Sequence, residues 1–350
     1  MKTAPKGRGA GINTPNRFER YRMAPEEDME GTGEEEVSDP RTTFITENPK
    51  SIISVSNSPD LPGFTSLNPY QGCEHGCIYC YARNSHEYWG YSAGVDFETK
   101  IIVKNNAPYV LEKLFNSHSW QPKVIHFSGN TDCYQPAEKK FGITRKLLEI
   151  CLRYRNPVAI LTKNSLVARD MDILQEMARL NLAQVAFSIT SLDEKIRRVL
   201  EPRTATARKR LATMGLMYQA GIPVGVMTAP LIPGLNDHEA PAIIEAAAEQ
   251  GACWASFTIV RLNGVIGELF TEWVHRHFPD RAEKIIHQIK ECHGGTLNDS
   301  TFFRRSQGEG PLAESIREMH RLACQRFLKD RKVPELDTSL FIRGGQLKLF

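Results

Sequence analysis

The stretch Asn68-Pro-Tyr-Gln-Gly-Cys73-Glu-His-Gly-Cys77-Ile-Tyr-Cys80-Tyr-Ala-Arg83 decides how the rest of the chain is read. Three of the eight cysteines fall within eight positions here, spaced Cys-x3-Cys-x2-Cys. Thiols this close can wrap one cubane cluster, ligating three irons and leaving the fourth open to a bound molecule. Gly72 and Gly76 let the backbone turn tightly around the sulfurs. Tyr79 and Tyr81, flanking the last cysteine, can shield a cluster from water and so tune its potential. The same sulfurs, with His75 or His86 as a fourth ligand, also suit structural zinc, so ligand type alone leaves both open.

Outward from this segment, short β-branched runs alternate with helical patterns from residue 64 onward. The expected strands are Val124 to Phe127, Val158 to Thr162, Gln184 to Thr190, Pro223 to Thr228 and Cys253 to Val260. Between them Leu147, Leu148, Cys151 and Tyr154 recur at helical spacing, as do Ile173, Leu174 and Met177, then Leu211, Met214 and Met217. Strands alternating with helices require parallel pairing and right-handed crossovers, so the body is expected to be a partial or full α/β barrel. Its active site would lie at the C-terminal ends of the strands. After Gly310 a last helix is expected to present Leu312, Ile316, Met319, Leu322 and Phe327 on one face.

Composition limits the rest. With 41% hydrophobic and 24% charged residues, the chain can bury a sizeable core, which excludes wholesale disorder. Forty-four Lys and Arg against 41 Asp and Glu give a net charge of +3, too small to imply a polyanion partner by itself. The longest stretch free of these residues, 211–236, is divided by Gly221, Pro223, Pro230, Pro233 and Gly234, so no membrane span is expected. No apolar core of a secretory signal accompanies Lys2, Lys6 and Arg8, and a cytoplasmic protein with reduced thiols is expected.

Four segments are expected. Residues 1–41 carry opposed charge blocks, with Arg17, Arg20 and Arg22 followed by Glu26, Glu27, Asp28 and Glu34 to Glu36, and read as a mostly disordered tail. Docking of Asn13 to Glu19 through Arg17 and Phe18, on the body or on a phosphate, is the lesser alternative. Residues 42–300 form the core domain, 301–343 a C-terminal helical extension and 344–350 a tail.

The cysteine segment, in its β/α context, resembles the radical S-adenosylmethionine (SAM) superfamily, whose signature is this spacing with an aromatic before the last cysteine. The resemblance implies a partial (β/α)6 barrel and a [4Fe-4S] cluster on Cys73, Cys77 and Cys80. It also implies SAM on the open iron, cleaved with an electron from an external reductant to a 5′-deoxyadenosyl radical that abstracts hydrogen. Residues 64–260 are more narrowly similar to the branch containing spore photoproduct lyase, through Cys80-Tyr81, Thr162-Lys163, Phe187-Ser188 and Glu201-Pro202. Arg8-Gly9-Ala10, Arg17-Phe18-Glu19 and Asn68-Pro69-Tyr70 resemble uncharacterised bacterial members.

By that resemblance Lys163 and Ser188 contact SAM from strand ends, Tyr79 belongs to the cofactor site, and Tyr81 stands near the radical path. Gly129 and Asp132, in the turn after Phe127, would meet the cofactor's amino group. Cys133 is a hydrogen-donor candidate, although the branch's cysteine would fall near Gly129; a buried thiol is the alternative. Cys151, Cys253, Cys292 and Cys324 read as core residues.

Arg203, Arg208, Lys209 and Arg210, with Arg304 and Arg305, could grip nucleic-acid phosphates or simply form solvated faces. The terminal Gln346-Leu347-Lys348-Leu349-Phe350 resembles the peptide with which bacterial repair proteins dock on the sliding clamp. The resulting expectation is a radical SAM enzyme with a possible nucleic-acid substrate. A protein or small-molecule substrate, or a non-enzymatic zinc or cluster module, is the alternative.

Overall fold

The computed structural model describes residues 5–18 and 41–344. Ten strands are present among them: β1 (Thr43–Glu47), β2 (Ile53–Val55), β3 (Thr65–Leu67), β4 (Tyr70–Gln71), β5 (Lys100–Lys104), β6 (Ile125–Phe127), β7 (Val158–Thr162), β8 (Ala183–Ser188), β9 (Val224–Leu231) and β10 (Trp254–Ile259). The main sheet runs β10-β9-β8-β7-β6-β3-β2, and every pairing from β3 to β10 is parallel. Strand β2 adds an antiparallel edge. The smaller sheet, β1-β5-β4, carries Tyr70 and Gln71 just before the cysteines.

Six parallel strands with a helix after most of them make the partial (β/α)6 barrel expected of the sequence. The helices Ile143–Tyr154, Met171–Arg179 and Ala240–Glu249 bury Leu147, Leu148, Cys151, Ile173, Leu174, Met177, Ile243 and Ile244 in the main core, beside Ile160, Val185, Val224 and Val226 of the sheet. Five strands lie within a few residues of their expected positions. The first barrel strand, β3, was not among those expected. Its Thr65-Ser66-Leu67 is too short and polar to show an apolar run, and its neighbours pull it into the sheet.

At the open side of the barrel, β10 pairs only with β9. Residues 301–308 run beside it, with the Ile259 amide donating to the Ser306 carbonyl at 2.8 Å. Arg305 Nε reaches Asp60 Oδ2, in the loop after β2, at 2.5 Å, so one ion pair ties the two outer ends of the sheet. The C-terminal extension is a single helix, Gly310–Leu328, packed on β10 and on the helix Ala240–Glu249. It buries Ala313, Ile316, His320, Ala323 and Leu328; Leu322, expected on the buried face, is 51% exposed. The buried face is set by Ala313, Ile316, His320 and Ala323, not by Leu322.

Part of the stretch expected to be a disordered tail lies against the body. The Gly9 and Ala10 amides donate to the Glu98 carboxylate at 3.0 and 2.9 Å, and the Thr14 amide donates to Ser92 Oγ at 2.8 Å. Asn16 donates to the Glu87 carbonyl, Arg17 pairs with Glu87 at 3.0 Å, and the Phe18 and Tyr88 rings meet at 4.8 Å. Backbone amides, not apolar side chains, supply most of this docking, which is why composition hid it. The charge blocks at 20–36 and the clamp-like peptide Gln346, Leu347, Leu349 and Phe350 lie outside the described residues. Among those described, no helix is long and apolar enough to cross a membrane.

Candidate active site

The C-terminal ends of β3, β6, β7 and β8 deliver, in turn, the cysteine loop, the Ser128–Asp132 turn, Lys163 and Ser188. Thr162 is paired with Phe187, so Lys163 and Ser188 leave adjacent strands side by side. Lys163 Nζ donates to Ser188 Oγ at 2.6 Å and to Glu201 Oε1 at 2.8 Å. Glu201 is fully buried and also accepts from the Tyr79 hydroxyl and from Arg210 Nη2, the latter at 2.8 Å. Burial works against its charge, yet Lys163 and Arg210 hold its carboxyl well below the usual carboxylate range. Tyr79 therefore belongs to the same cluster as Lys163 and Ser188, and Glu201 is the residue that joins them.

All three signature cysteines are free thiols on one loop, with Cys73 and Cys77 buried and Cys80 partly so. Burial pushes each thiol up, and for Cys73 the charges of Asp132, Cys77 and Cys80 push further. A set of thiols in one another's field ionises only beside a strong positive charge, which is what an iron-sulfur core provides. The donor set thus fits a cubane with one open iron. A cubane spreads its thiolates over three irons, so the sulfurs need not converge on one point, and among the described residues no group of three or more His, Cys, Asp and Glu does so.

The zinc alternatives fare differently. His75 is engaged at both nitrogens, Nδ1 lying 3.4 Å from Asp132 and Nε2 3.3 Å from Asn164 Nδ2. His86 packs near the Tyr91 and Phe97 rings, and both its ring nitrogens are buried without a hydrogen-bond partner among the described residues.

Behind the cysteines stands a second buried network that the sequence did not reveal. Arg83 is fully buried, donating from Nε to the Cys77 carbonyl at 3.0 Å and from Nη2 to Glu98 at 2.6 Å. The strap residues Gly9 and Ala10 close the other side of that carboxylate. A Cβ at Gly9 would collide with the Gly76 carbonyl oxygen, so the strap backbone lies directly on the turn between Cys73 and Cys77.

Asp132 faces inward. Its carboxylate accepts from Thr162 Oγ1 at 2.9 and 3.0 Å and from the Lys163 amide at 2.7 Å, locking the turn to the end of β7. The Gly129 carbonyl accepts from the Tyr81 hydroxyl at 2.7 Å, while the rest of Tyr81 is 57% exposed at the mouth. Cys133 follows directly on this turn but is fully buried in the main core, and burial, then the charges of Asp132, Glu138 and Asp170, push its thiol up.

Four of the six residues of the expected basic patch are paired with carboxylates. Arg210 is buried on Glu201, Thr204 and the Ser188 carbonyl, Arg203 faces Glu74 at 3.4 Å, Arg304 pairs with Asp299 and Glu309, and Arg305 pairs with Asp60. Arg208, Lys209 and Arg304 of the set are exposed, and Arg304 is held by its two carboxylates. Arg203 and Arg305 meet carboxylates from distant segments, whereas Arg210 and Arg304 meet carboxylates within nine residues in the chain.

A parallel partial barrel carrying a three-cysteine loop on its first strand defines a class of radical enzyme, and the family comparison agrees with the geometry. The chain belongs to the radical SAM superfamily, whose family model matches residues 67–247. An uncharacterised protein of Mycobacterium tuberculosis (strain H37Rv) is 32% identical over 236 residues, covering 67% of this chain and 69% of that protein. An uncharacterised protein of Methanocaldococcus jannaschii is 31% identical over 184 residues, covering 52% of this chain and 66% of its own length. Among solved structures, spore photoproduct lyase complexed with dinucleoside spore photoproduct superposes with a TM-score of 0.59 at 15% identity, covering 81% of this chain and 79% of that one. That likeness is one of fold. The chain is accordingly an enzyme of the radical SAM type.

Proposed function

We propose that this protein is a radical SAM enzyme that abstracts hydrogen from a nucleic-acid substrate, in repair or modification. The observation that carries the reading is the convergence of Cys73, Cys77 and Cys80 with Lys163, Ser188 and Glu201 at neighbouring strand ends. A [4Fe-4S] cluster on the three cysteines, with SAM on its open iron, would supply a 5′-deoxyadenosyl radical once an external reductant delivers an electron.

The chain's own residues bind, orient and exclude water. Lys163 and Ser188 present a cation and a hydroxyl toward a bound methionine carboxylate or ribose, and Glu201 fixes the ammonium between them. Asp132 holds the Gly129 turn where the cofactor's amino group would lie. Tyr81, exposed at the mouth and held by Gly129, stands where substrate enters.

For Cys133 to return hydrogen to a product, the 128–133 turn would have to rearrange, since the thiol is in the core. A Cys133→Ala protein giving unchanged product assigns that thiol to packing. Support for a nucleic-acid substrate comes from the spore photoproduct lyase fold. The pairing of most mouth arginines with carboxylates favours the second reading, a protein or small-molecule substrate. Anaerobic assay of 5′-deoxyadenosine formation with and without damaged DNA separates them: stimulation by DNA supports the first, indifference the second.

A further inference from the structure

Three arginines meet at the seam of the barrel, and two have carboxylate partners. Arg304 is held by Asp299 at 2.5 Å and by Glu309 at 2.7 Å, and Arg305 by Asp60 at 2.5 Å. Arg261, just past the C-terminal end of β10, makes no ion pair among the described residues, and its Nε is buried without a hydrogen-bond partner there. Burial opposes its charge and Arg305 repels it, while the nearby Asp60 and Asp299 are already spent on the other two arginines. A partly buried guanidinium without a counter-ion is costly, and such an arrangement is explained by a ligand that supplies the missing anion.

Its surroundings point to the mouth of the active site. The loop that carries Arg261 is pinned by Asn84, whose Nδ2 donates to the Asn263 carbonyl at 2.8 Å. Asn84 stands in the 3-10 helix Tyr81–Trp89, three residues from Tyr81, and in such a helix side chains three apart eclipse one another. Tyr81 and Asn84 thus share a face. The side-chain oxygens of Asn84 and Asn263 are also buried without partners. Asn84 thus links the helix that begins at Tyr81 to the loop of Arg261, and one cation and two amide oxygens with unmet hydrogen-bonding capacity fall on these two segments.

We propose that Arg261, flanked by Asn84 and Asn263, binds a phosphate group of the substrate. The planar guanidinium matches two phosphate oxygens, and the amides can meet donors on the attached nucleoside. This deepens the proposed function and rests on it, since it places substrate at the same mouth.

The test uses the full-length protein under anaerobic conditions and two probes, a short fluorescein-labelled single-stranded oligodeoxynucleotide and thymidine 5′-monophosphate. Oligonucleotide affinity is measured by anisotropy across a salt series, and mononucleotide affinity by calorimetry. Arg261→Gln should weaken oligonucleotide binding about tenfold or more and reduce the salt slope by about 1. Arg261→Lys should recover part of the affinity, and Arg326→Gln, on the exposed face of the C-terminal helix, should change neither quantity.

Loss confined to the oligonucleotide identifies a backbone phosphodiester; loss with both probes identifies a terminal phosphate. Unchanged affinity and slope in Arg261→Gln, or no binding of either probe by wild type, overturns the proposal. Iron content and SAM cleavage of the wild type are read separately. Their absence alongside Arg261-dependent binding would remove the radical chemistry and leave the phosphate site standing.

Discussion

Glu201 holds more of the site together than any other side chain described here, joining Lys163, Arg210 and Tyr79. Replacing it with Gln removes the charge that offsets two sheltered cations, a change that costs about 3–5 kcal/mol in comparable buried pairs. Denaturant unfolding of Glu201→Gln at neutral pH should show a loss of that order. The pH dependence has a definite sign. Glu201 is held below its unfolded value, so its contribution is complete above about pH 4.3 and is lost as pH falls toward the folded value. The gap between wild type and Glu201→Gln should therefore be constant from pH 6 to 8 and narrow only below about pH 4. A gap that widens on acidification would contradict this role. The cysteines, Lys163 and Ser188 were legible in sequence because motif and strand-end position mark them. Glu98 and Arg83 were not, and Glu201 and Arg210 stood out only as a motif segment and as part of a basic patch, not as partners. Each is a charged residue whose partner lies far away in the chain, as with Glu201 and Lys163, or whose ordinary reading is a solvated face.

Among the elements, the N-terminal strap and the cysteine loop depend on each other. Gly9 lies against Gly76, and Glu98 serves both the strap amides and Arg83, which in turn holds the Cys77 carbonyl. Gly9→Val should force the strap away, at about 1–3 kcal/mol for overpacking. Limited proteolysis should then cleave within residues 8–18, and amide exchange should quicken at 72–80; a strap equally protected in the variant would refute the coupling. Strand positions were mostly readable, since β7, β8, β9 and β10 are short, largely apolar runs between turns. The smaller sheet was missed although Ile101, Ile102 and Val103 form such a run. Its partners, β1 and the two-residue β4, carry too little apolar pattern to suggest a second sheet.

For the molecule as a whole, the barrel is left open between β10 and β2, and Arg305 with Asp60 closes the seam. Asp60→Asn should weaken that charge-assisted hydrogen bond and cost about 1.5–3 kcal/mol in thermal or denaturant unfolding. Exchange should rise first in 56–64 and 301–308 if the seam holds the edges together; uniform change across the barrel would argue otherwise. The architecture followed from alternating strands and helices, whereas the seam did not, because its two halves lie some 240 residues apart. The central claim is that Cys73, Cys77 and Cys80 hold a [4Fe-4S] cluster that activates SAM, and anaerobic reconstitution followed by 5′-deoxyadenosine assay tests it most directly. The account predicts one four-iron cluster per chain and reductant-dependent 5′-deoxyadenosine, both lost when any one of the three cysteines becomes alanine. Cleavage retained in all three variants, or a wild-type protein that takes up zinc in place of iron and forms no 5′-deoxyadenosine, would contradict it.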